Sequence, residues 1–376
     1  MKNSPSLALV AELAGTSVAT VSRVINGHPH ISEQIRERVE QAIEKTNYRP
    51  SAMGRALRSG KCRTLGILRS PDAAQDKLYA EVITSHLVRS VTAEGYGVAA
   101  EFISTSEDGN LNIPDVVQSK RVDGVFIVGH LDDRMLDQSK DWGIPVCLLN
   151  NRSSSPGFYS CCLDDYAGSR EATQHLVALG RSRIAFVHGS LAWPSTAGRR
   201  QGFLDAMAEL GRDVRPTELI KVDDGDQNYR GGYLATEFLL KQSPDLDAIF
   251  YVNDWFAIGG ISAARAAGKA IPEDLSIVGY DDSWMAPQTL PTLTSVSLEP
   301  EEICRGAAMV LVRAVERRPE VITDILVRPK LVIRESSTYR KPQSAEMFDR
   351  ETSPSLAHKS EQRPAKGKSA RILQKT

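Results

Sequence analysis

Long apolar runs are absent from this chain of 376 residues, and aromatic residues make up only 6% of it. No run approaches the roughly 18 apolar residues that cross a bilayer. The stretch at residues 7–11 also falls short of the roughly 7–15 residues of a signal-peptide core. The sequence therefore predicts a soluble protein of the cytoplasm with no membrane partner.

Cysteine is scarce as well, and its placement argues against two common kinds of site. The five cysteines are odd in number and widely spaced, which disfavours a framework of disulfides. None of them forms a Cys-x-x-Cys pair or joins a histidine at the spacing of a zinc site. If their segment is a strand, adjacent Cys161 and Cys162 lie on opposite faces of it, and we expect them to stay reduced. We therefore expect no bound metal and no cofactor.

The usual signatures of enzymes are also missing. The chain contains no HExxH, no GxSxG, no GxxxxGK[ST] and no GxGxxG after a strand. Neighbouring aspartates occur at residues 164–165, 223–224 and 281–282. Because adjacent strand residues point to opposite faces, we expect these pairs to act in loops and helix caps rather than as an acid/base couple. The sequence therefore predicts a protein that is not an enzyme.

Charge is spread unevenly along a chain whose net charge is only −1. Residues 1–63 carry ten basic and five acidic side chains, and residues 340–376 carry nine and four. Residues 64–339 carry 27 basic and 38 acidic side chains. Basic ends on an acidic body indicate nucleic acid as a partner.

The first 50 residues show the periodicity of three short helices. Ser6, Ser17 and Ser32 each precede an apolar stripe at helical spacing and can cap its first turn. The stripe of the second helix begins at Val18, which we place on the buried face. Two short helices joined by a tight turn that contains glycine, and followed by a third, form the helix-turn-helix arrangement. An ordinary helical subdomain has the same periodicity, so the pattern alone leaves both interpretations open.

From residue 64 onward, short apolar runs alternate with helical patterns. Strands are predicted at 64–68, 98–103, 124–128, 145–149, 184–188, 218–222, 248–252 and 276–280, and helices at 79–94, 113–120, 199–210, 229–241 and 256–267. Alternating strands and helices build parallel sheets covered by helices. The stretch is too long for one small sheet, so we expect two similar lobes with a ligand in the cleft between them.

The last 37 residues, 340–376, have no periodicity and are rich in Lys, Ser, Gln and Glu. They are predicted to form a disordered basic tail.

The second helix offers the side chains that a DNA-reading helix needs. Small polar residues near the helix N-terminus can contact bases or phosphates, arginine can bind guanine through two hydrogen bonds, and alanine can contact a thymine methyl group. The exposed face of this helix carries Ala19, Thr20, Ser22, Arg23 and Asn26.

Residues 17–27, with the sequence SVATVSRVING, resemble the signature of the lac repressor family of bacterial transcription regulators. Family-like stretches follow at 47–52 (NYRPSA), 176–184 (LVALGRSRI), 276–282 (SIVGYDD) and 334–336 (RES), so the resemblance runs from about residue 6 to residue 338. It implies an N-terminal all-α helix-turn-helix domain at 1–50 and a hinge at 51–63 that becomes helical on DNA. It also implies a two-lobed α/β domain at 64–339, shaped like a periplasmic binding protein, which binds an effector and dimerises. Three connections are expected to join the lobes, near residues 161–163, 291–296 and 321–324.

The resemblance assigns roles at the DNA. Val18 and Ala19 fall at the family's main base-reading positions, and Arg23 falls at its third. In the hinge, Leu57 matches the leucine that wedges into the minor groove at the operator centre. The full set implied to contact DNA is Ser17, Val18, Ala19, Thr20, Ser22, Arg23, Asn26, Ser51, Leu57 and Arg58.

The resemblance also assigns an effector site. Arg199 matches the family's ligand-binding arginine, and Asp254 matches its ligand-binding aspartate. A forked donor and a carboxylate acceptor suit the hydroxyls of a sugar or a similar polar metabolite. The other residues of the implied site are Tyr79, Asn150, Trp193, Ser195, Gln227 and Trp255. Leu298 and residues 69–76 depart from the family's pattern, which leaves the identity of the effector open.

These features predict an allosteric repressor of the bacterial nucleoid: a homodimer on a pseudo-palindromic double-stranded operator, controlled by a small molecule between its lobes. Two alternatives belong to other classes. A solute-binding protein for transport would need an export signal and no helix-turn-helix, and an enzyme would need a catalytic constellation. An activator, or a regulator that no longer responds to a small molecule, stays open.

Overall fold

The computed structural model describes residues 6–25, 28–48, 61–70, 77–223, 228–318 and 322–338. Three helices lie at the N-terminal end, α1 (Leu7–Leu13), α2 (Val18–Ile25) and α3 (Glu33–Thr46). They enclose a small core of buried Val10, Ala11, Ala14, Val21, Val24, Val39 and Ala42. The three predicted helices are therefore confirmed.

Side chains and a glycine define the ends of these helices. The Ser6 and Ser17 hydroxyls accept from the amides of Leu9 and Thr20, at 3.2 and 3.1 Å, as predicted caps should. Ser32 precedes α3 but makes no capping hydrogen bond, so that part of the prediction is wrong. Gly15 has φ +60° in the turn between α1 and α2, a conformation that glycine adopts without strain.

The first α/β lobe is built on a six-stranded sheet. Its strands are β1 (Thr64–Arg69), β2 (Gly97–Phe102), β3 (Gly124–Val128), β4 (Val146–Leu149), β5 (Tyr159–Leu163) and β11 (Asp324–Val327). They lie in the order β11-β5-β4-β3-β1-β2, and all neighbours are parallel. The helices of this part of the chain are α4 (Lys77–Ala93), α5 (Asp115–Gln118), α6 (Asp133–Ser139) and α11 (Pro300–Val315). Every residue of β3 and β4 is buried, as expected for parallel strands covered on both faces.

The second lobe repeats this architecture. Its strands are β6 (Ile184–His188), β7 (Leu219–Lys221), β8 (Ala248–Tyr251), β9 (Ser276–Asp281), β10 (Thr294–Ser297) and β12 (Lys330–Val332). They lie in the order β12-β10-β9-β8-β6-β7, and only the β10–β12 pair is antiparallel. Its helices are α7 (Asp165–Ala178), α8 (Pro194–Glu209), α9 (Tyr229–Gln242) and α10 (Asp254–Ala266). The predicted fold class, helix-turn-helix plus a two-lobed α/β domain, is confirmed.

The chain passes between the two sheets three times, always a few residues later than predicted. The first crossing follows β5 at residue 164, the second lies at 298–299 between β10 and α11, and the third lies at 328–329 between β11 and β12. The predicted positions at 161–163, 291–296 and 321–324 fall largely within strands or on the approach to them. The apolar and polar pattern of a strand continues up to each crossing, so it does not mark where the chain leaves the sheet.

Two predicted helices differ from the observed ones in length. The helix predicted at 113–120 is only the four residues of α5, and the helix predicted at 199–210 begins five residues earlier, at Pro194. Pro194 occupies the first turn of α8, where its missing amide donor costs no helical hydrogen bond.

No single helix among the described residues is long and apolar enough to cross a membrane. The pair α1 and α2 meets the length and composition criteria together, but the two helices are bent by 101° at the turn between them.

Candidate functional site

The face of α2 that was predicted to read DNA lies on the surface. Ser17, Ala19 and Arg23 are exposed, and Thr20 and Ser22 are half-buried. Val18 is 45% exposed, so the prediction that it lies on the buried face of α2 is wrong. Its exposure does leave it accessible to DNA, as the resemblance implies. Val18 begins the helix, and the core is closed by Val21 and Val24 one turn later.

Four predicted DNA contacts lie outside the described residues: Asn26, Ser51, Leu57 and Arg58. The predicted tail at 340–376 and most of the predicted hinge at 51–63 lie there as well.

One carboxylate, that of Asp123, binds the backbone at the point where the chain enters the first lobe. The two oxygens of Asp123 accept from the backbone amides of Cys62 and Arg63, at 2.7 and 2.6 Å. The Arg63 guanidinium lies 5.4 Å from the centre of the Tyr96 ring. Lys61 donates from its Nζ to the carbonyl of Val315 at 3.4 Å. The end of the predicted hinge is therefore fixed to the N-terminal lobe and to the last residue of α11.

A cavity of about 850 Å³, part of it open to solvent, lies between the two lobes. Loops after β3 and β4 form one wall, and the starts of α8 and α10 with the end of β9 form the other. The lining residues are Gly129, His130, Leu149, Asn150, Gly189, Trp193, Pro194, Ser195, Thr196, Arg199, Val252, Asn253, Trp255 and Asp281.

Arg199 is the central charged group of this wall. Its Nε donates to Asp165 at 2.7 Å, and its Nη1 donates to the Val252 carbonyl at 2.6 Å and lies 3.3 Å from Asp281. Its guanidinium also lies 3.6 Å from the centre of the Tyr280 ring. Burial acts to lower the pKa of Arg199, but the two carboxylates outweigh burial and raise it, so the side chain stays charged. Arg199 lines the cavity as predicted, already paired with two carboxylates.

Asp254 does not lie where a ligand contact requires. It is 1% exposed and is not among the residues that line the cavity. Its neighbours Asn253 and Asp281 line the wall instead. The carboxylate that faces the cavity is therefore that of Asp281, and that of Asp254 is buried behind the wall.

The prediction that the aspartate pairs act in loops and caps is half right. Asp164 caps α7 by accepting from the Ala167 amide at 3.0 Å. Asp165 and Asp281 are instead the partners of Arg199. Asp281 is the last residue of β9, and Asp165 comes two residues after the end of β5, so both lie at the carboxyl end of a strand, the region where ligands bind in parallel sheets.

The structure brings four further predicted residues together at the cavity: Asn150, Trp193, Ser195 and Trp255. Asn150 has φ +49°, which asparagine tolerates better than most residues, and its Oδ1 accepts from the Leu163 amide at 3.1 Å. Gln227 lies outside the described residues, and so does the side chain of Tyr79 in the first turn of α4. Contact between these residues and an effector stays a prediction.

Several lining residues were not predicted. His130 follows β3, and its ring lies 6.5 Å from that of Trp193 on the facing lobe. Thr196 lies in the first turn of α8, and Asn253 caps α10 by accepting from the Phe256 amide at 2.9 Å. All three follow the carboxyl end of a predicted strand, and that position was the available signal.

Comparison with known proteins gives the chain a family. Residues 6–51 match the model of the lacI family of bacterial regulatory proteins, and residues 173–337 match that of a periplasmic binding protein-like domain. The HTH-type transcriptional regulator CelR of Thermobifida fusca is 31% identical over 338 residues, which are 88% of this chain and 98% of the relative.

Solved structures agree with this result. A complex of the transcriptional regulator CelR with cellobiose superimposes with a TM-score of 0.65 at 27% identity, covering 89% of this chain and 100% of the other. The lac repressor dimer bound to operator and the anti-inducer ONPF superimposes with a TM-score of 0.75 at 26% identity, covering 89% and 99%.

Proposed function

Because the chain belongs to the lacI family of bacterial regulatory proteins, we propose that it represses transcription by binding operator DNA under the control of a small sugar-like effector. The observation that carries the DNA-binding part is the exposed face of α2. Val18, Ala19 and Arg23 are accessible there beside the Ser17 cap. Arg23 can read a guanine edge, and the short side chains allow the helix close to the bases. Thr20 and Ser22, with Asn26, Ser51, Leu57 and Arg58, complete the proposed DNA contacts.

The proposed regulator acts as a homodimer on two half-sites. Two copies related by a two-fold axis present two recognition helices to a pseudo-palindromic operator. Trp284 and Leu290 are 65% and 73% exposed on the loop between β9 and β10. Arg265 of α10 donates to the Leu290 carbonyl at 3.0 Å, which holds this loop against the helix. Large apolar side chains on an ordered loop favour contact with a second copy of the chain.

The proposed effector is an uncharged molecule with several hydroxyl groups. Arg199 is the only arginine or lysine among the described lining residues, and its charge is offset by Asp165 and Asp281. An anionic ligand would meet two carboxylates around one guanidinium. Trp193 and Trp255 offer faces on which a sugar ring can pack, and the remaining polar contacts we propose are Asn150, Ser195, Asn253 and Asp281, with Tyr79 and Gln227 as further candidates. The CelR relative, whose complex contains cellobiose, supports this class.

Effector binding is proposed to act through the arrangement of the lobes. A molecule that contacts both walls favours one spacing between them, and the hinges of the dimer favour one spacing on DNA. The two events are then coupled, typically by about 1–3 kcal/mol. In this proposal residues 1–50 read DNA, 51–63 form the hinge, 64–339 bind effector and dimerise, and 340–376 form a basic tail. We propose that the protein works on the nucleoid in the bacterial cytoplasm and catalyses no reaction, as expected of a relative of transcriptional regulators.

Selection of bound duplexes from a random DNA library tests the DNA-binding part. We expect the purified full chain to enrich a palindrome with a flexible central step, and expect Leu57→Ala to enrich the same half-sites more weakly. Arg23→Ala should change the preferred base at one position, because it removes a base contact rather than the wedge. Equal enrichment by wild type and Arg23→Ala, or binding without sequence preference in the presence of a pool of sugars, would contradict the proposal.

A titration of the same protein with cellobiose, followed by tryptophan fluorescence, tests the effector class. Trp193 and Trp255 line the cavity, so a bound sugar should change their emission. Galactose, glucose 6-phosphate and guanine serve as a neutral sugar, an anionic sugar and a nucleobase for comparison. A response to the anionic sugar alone would contradict the proposed class.

A further inference from the structure

Asp254 is a buried carboxylate that lies behind the wall of the cavity. It is the first residue of α10, directly after the lining residue Asn253, and it is 1% exposed. Its side chain points toward Ser283, just after β9, and toward Ser295 near the start of β10. A buried carboxylate is costly unless its oxygens are satisfied, so its surroundings indicate what it does.

Both oxygens of Asp254 hold the segment that follows β9. One oxygen accepts from the Ser283 amide at 2.7 Å, and the other accepts from the Ser295 hydroxyl at 2.6 Å. The Ser295 hydroxyl in turn accepts from the Asp282 amide at 2.9 Å. Asp254 therefore holds two successive backbone amides, one directly and one through a serine.

These hydrogen bonds hold a strained turn. Asp281 has φ +108° and Asp282 has φ +46°, conformations that side-chain-bearing residues rarely adopt. Residues in such conformations persist only where their surroundings fix them. The backbone also approaches the carboxylate closely, because a Cβ on Gly279 would lie 2.3 Å from Asp254 Oδ1.

The turn joins a residue of the cavity wall, Asp281, to an exposed side chain, that of Trp284. Asp281 faces the cavity and lies 3.3 Å from Arg199. Trp284, directly after Ser283, is 65% exposed. Asp282 points elsewhere, to an ion pair with Arg334 at 2.7 Å. The conformation of three consecutive residues therefore sets both the cavity wall and the start of the exposed loop.

We propose that Asp254 is a positioning residue that touches no effector but holds the turn at residues 281–283, so that Asp281 meets Arg199 and effector. This inference rests on the proposed effector site. It also predicts that occupancy of the cavity and the conformation of the Trp284 loop depend on each other through Asp254.

The proposal predicts that effector affinity depends on pH, because Asp254 can gain or lose a proton. Burial is the largest effect on the pKa of Asp254 and raises it to about 7. Hydrogen bonds from Ser295 and Ser283 act to lower this pKa, and the charge of Asp282 raises it slightly. The other charged groups around the turn are Asp281, Arg199 and Arg334. Within the folded protein only the ionised carboxylate accepts at both oxygens without having to donate, so it holds the turn most firmly there, although its burial costs stability. We therefore expect effector affinity to rise with pH from 6 to 8.

The test compares wild type with four variants by calorimetric titration with cellobiose at pH 6, 7 and 8, and by hydrogen exchange of residues 279–293 without sugar. Asp254→Leu removes both acceptors, and Asp254→Asn keeps the shape but not the titration. Ser295→Ala removes only the bridging hydroxyl and serves if the leucine variant does not fold. Asp274→Asn is the matched control, because Asp274 also accepts a backbone amide, that of Ala270 at 2.9 Å, outside the residues that line the cavity.

We expect Asp254→Leu and Ser295→Ala to exchange faster at residues 279–293 and to bind cellobiose roughly tenfold more weakly, because a buried donor loses its partner. Asp254→Asn should bind nearly as well as wild type at pH 7 but lose the wild-type rise with pH. His130 lines the cavity in all five proteins, so any contribution from it is common to the comparison.

The proposal is overturned if Asp254→Leu and Ser295→Ala exchange and bind like Asp274→Asn, or if Asp254→Asn keeps the pH profile of wild type. Failure of wild type to bind cellobiose would count against the proposed effector class alone. The exchange measurement then decides the role of Asp254 without any sugar.

Discussion

Replacing Arg199 with methionine tests whether the wall of the cavity depends on a buried ion-pair network. The change keeps an unbranched side chain of similar length and removes the charge. The carboxylates of Asp165 and Asp281 then face each other without their shared cation, with side chains only 8% and 16% exposed. The Val252 carbonyl also loses its donor.

The expected cost follows from the burial of the network. Removing one partner of a buried ion pair typically costs about 3–5 kcal/mol, because the remaining charge stays desolvated. At about 2–4 °C of melting temperature per kcal/mol for a domain approaching this size, the two-lobed domain should melt roughly 6–20 °C lower. The Arg199→Met protein should also lose any rise in melting temperature that the wild type shows with cellobiose.

Thermal unfolding by calorimetry, with urea unfolding in parallel, measures this loss. Asp165→Asn alone and combined with Arg199→Met complete a double-mutant cycle. The double variant should be more stable than the sum of the single losses predicts, because neutralising Asp165 removes one of the two orphaned charges. A coupling of about 0.5–3 kcal/mol is expected for groups in direct contact.

Arg170→Met is the matched control. Arg170 makes a two-pronged ion pair with Glu209 on the surface of the same lobe, at 2.7 and 2.6 Å. Exposed pairs contribute little because solvent screens them, so this variant should melt close to wild type. Equal losses for Arg199→Met and Arg170→Met, or additive losses in the cycle, would refute the reasoning from burial.

Three further predictions concern other parts of the chain. Arg23→Ala should weaken binding to the selected operator by about 1–3 kcal/mol and relax its base preference, measured by fluorescence anisotropy at fixed salt. Asp123→Ala removes the acceptor of the Cys62 and Arg63 amides. We therefore expect cellobiose to change operator affinity less in this variant, while the affinity for cellobiose itself stays the same. In Asp254→Asn the dependence of unfolding on pH should change in a defined direction. The raised pKa of Asp254 means that the folded state holds its proton more strongly, so wild type should lose stability relative to the variant as pH rises from about 4 to 7. A constant difference across that range would contradict the burial of the charge.

The repeating α/β part of the fold was predictable because buried parallel strands leave a direct mark in the sequence. The run GVFIV at β3 is apolar at every position after its glycine, and its burial on both faces explains why. Strands without that mark were missed. The strand β10 reads TSVS and is buried through hydrogen-bonded polar residues, such as Thr294 with Ser337 at 2.7 Å, so no apolar run reveals it.

Part of the site was predictable from the sequence, but the residues whose position depends on an unusual backbone conformation were not. Arg199 was found from its surroundings in the sequence and does line the cavity. The aspartate was assigned to Asp254 because the resemblance to the family placed its ligand-binding aspartate directly after Asn253. Asp281 is the last residue of a strand, and a positive φ turns its carboxylate toward Arg199. Nothing in the residue pattern distinguishes these two aspartates, because the difference lies in a dihedral angle that Asp254 itself helps to fix.

The second crossing between the lobes gives a physical route from the cavity to the DNA-binding end. Helix α11 begins at Pro300, immediately after the crossing, and ends at Val315, whose carbonyl accepts from Lys61. A helix of 16 residues spans about 24 Å. We expect a change in the angle between the lobes to act on the start of α11 and, through this helix, on its far end, where Val315 contacts Lys61 beside the segment that Asp123 holds at Cys62. On this proposal the effector needs no contact with the hinge, because one helix connects the second crossing to Lys61, near the end of the predicted hinge.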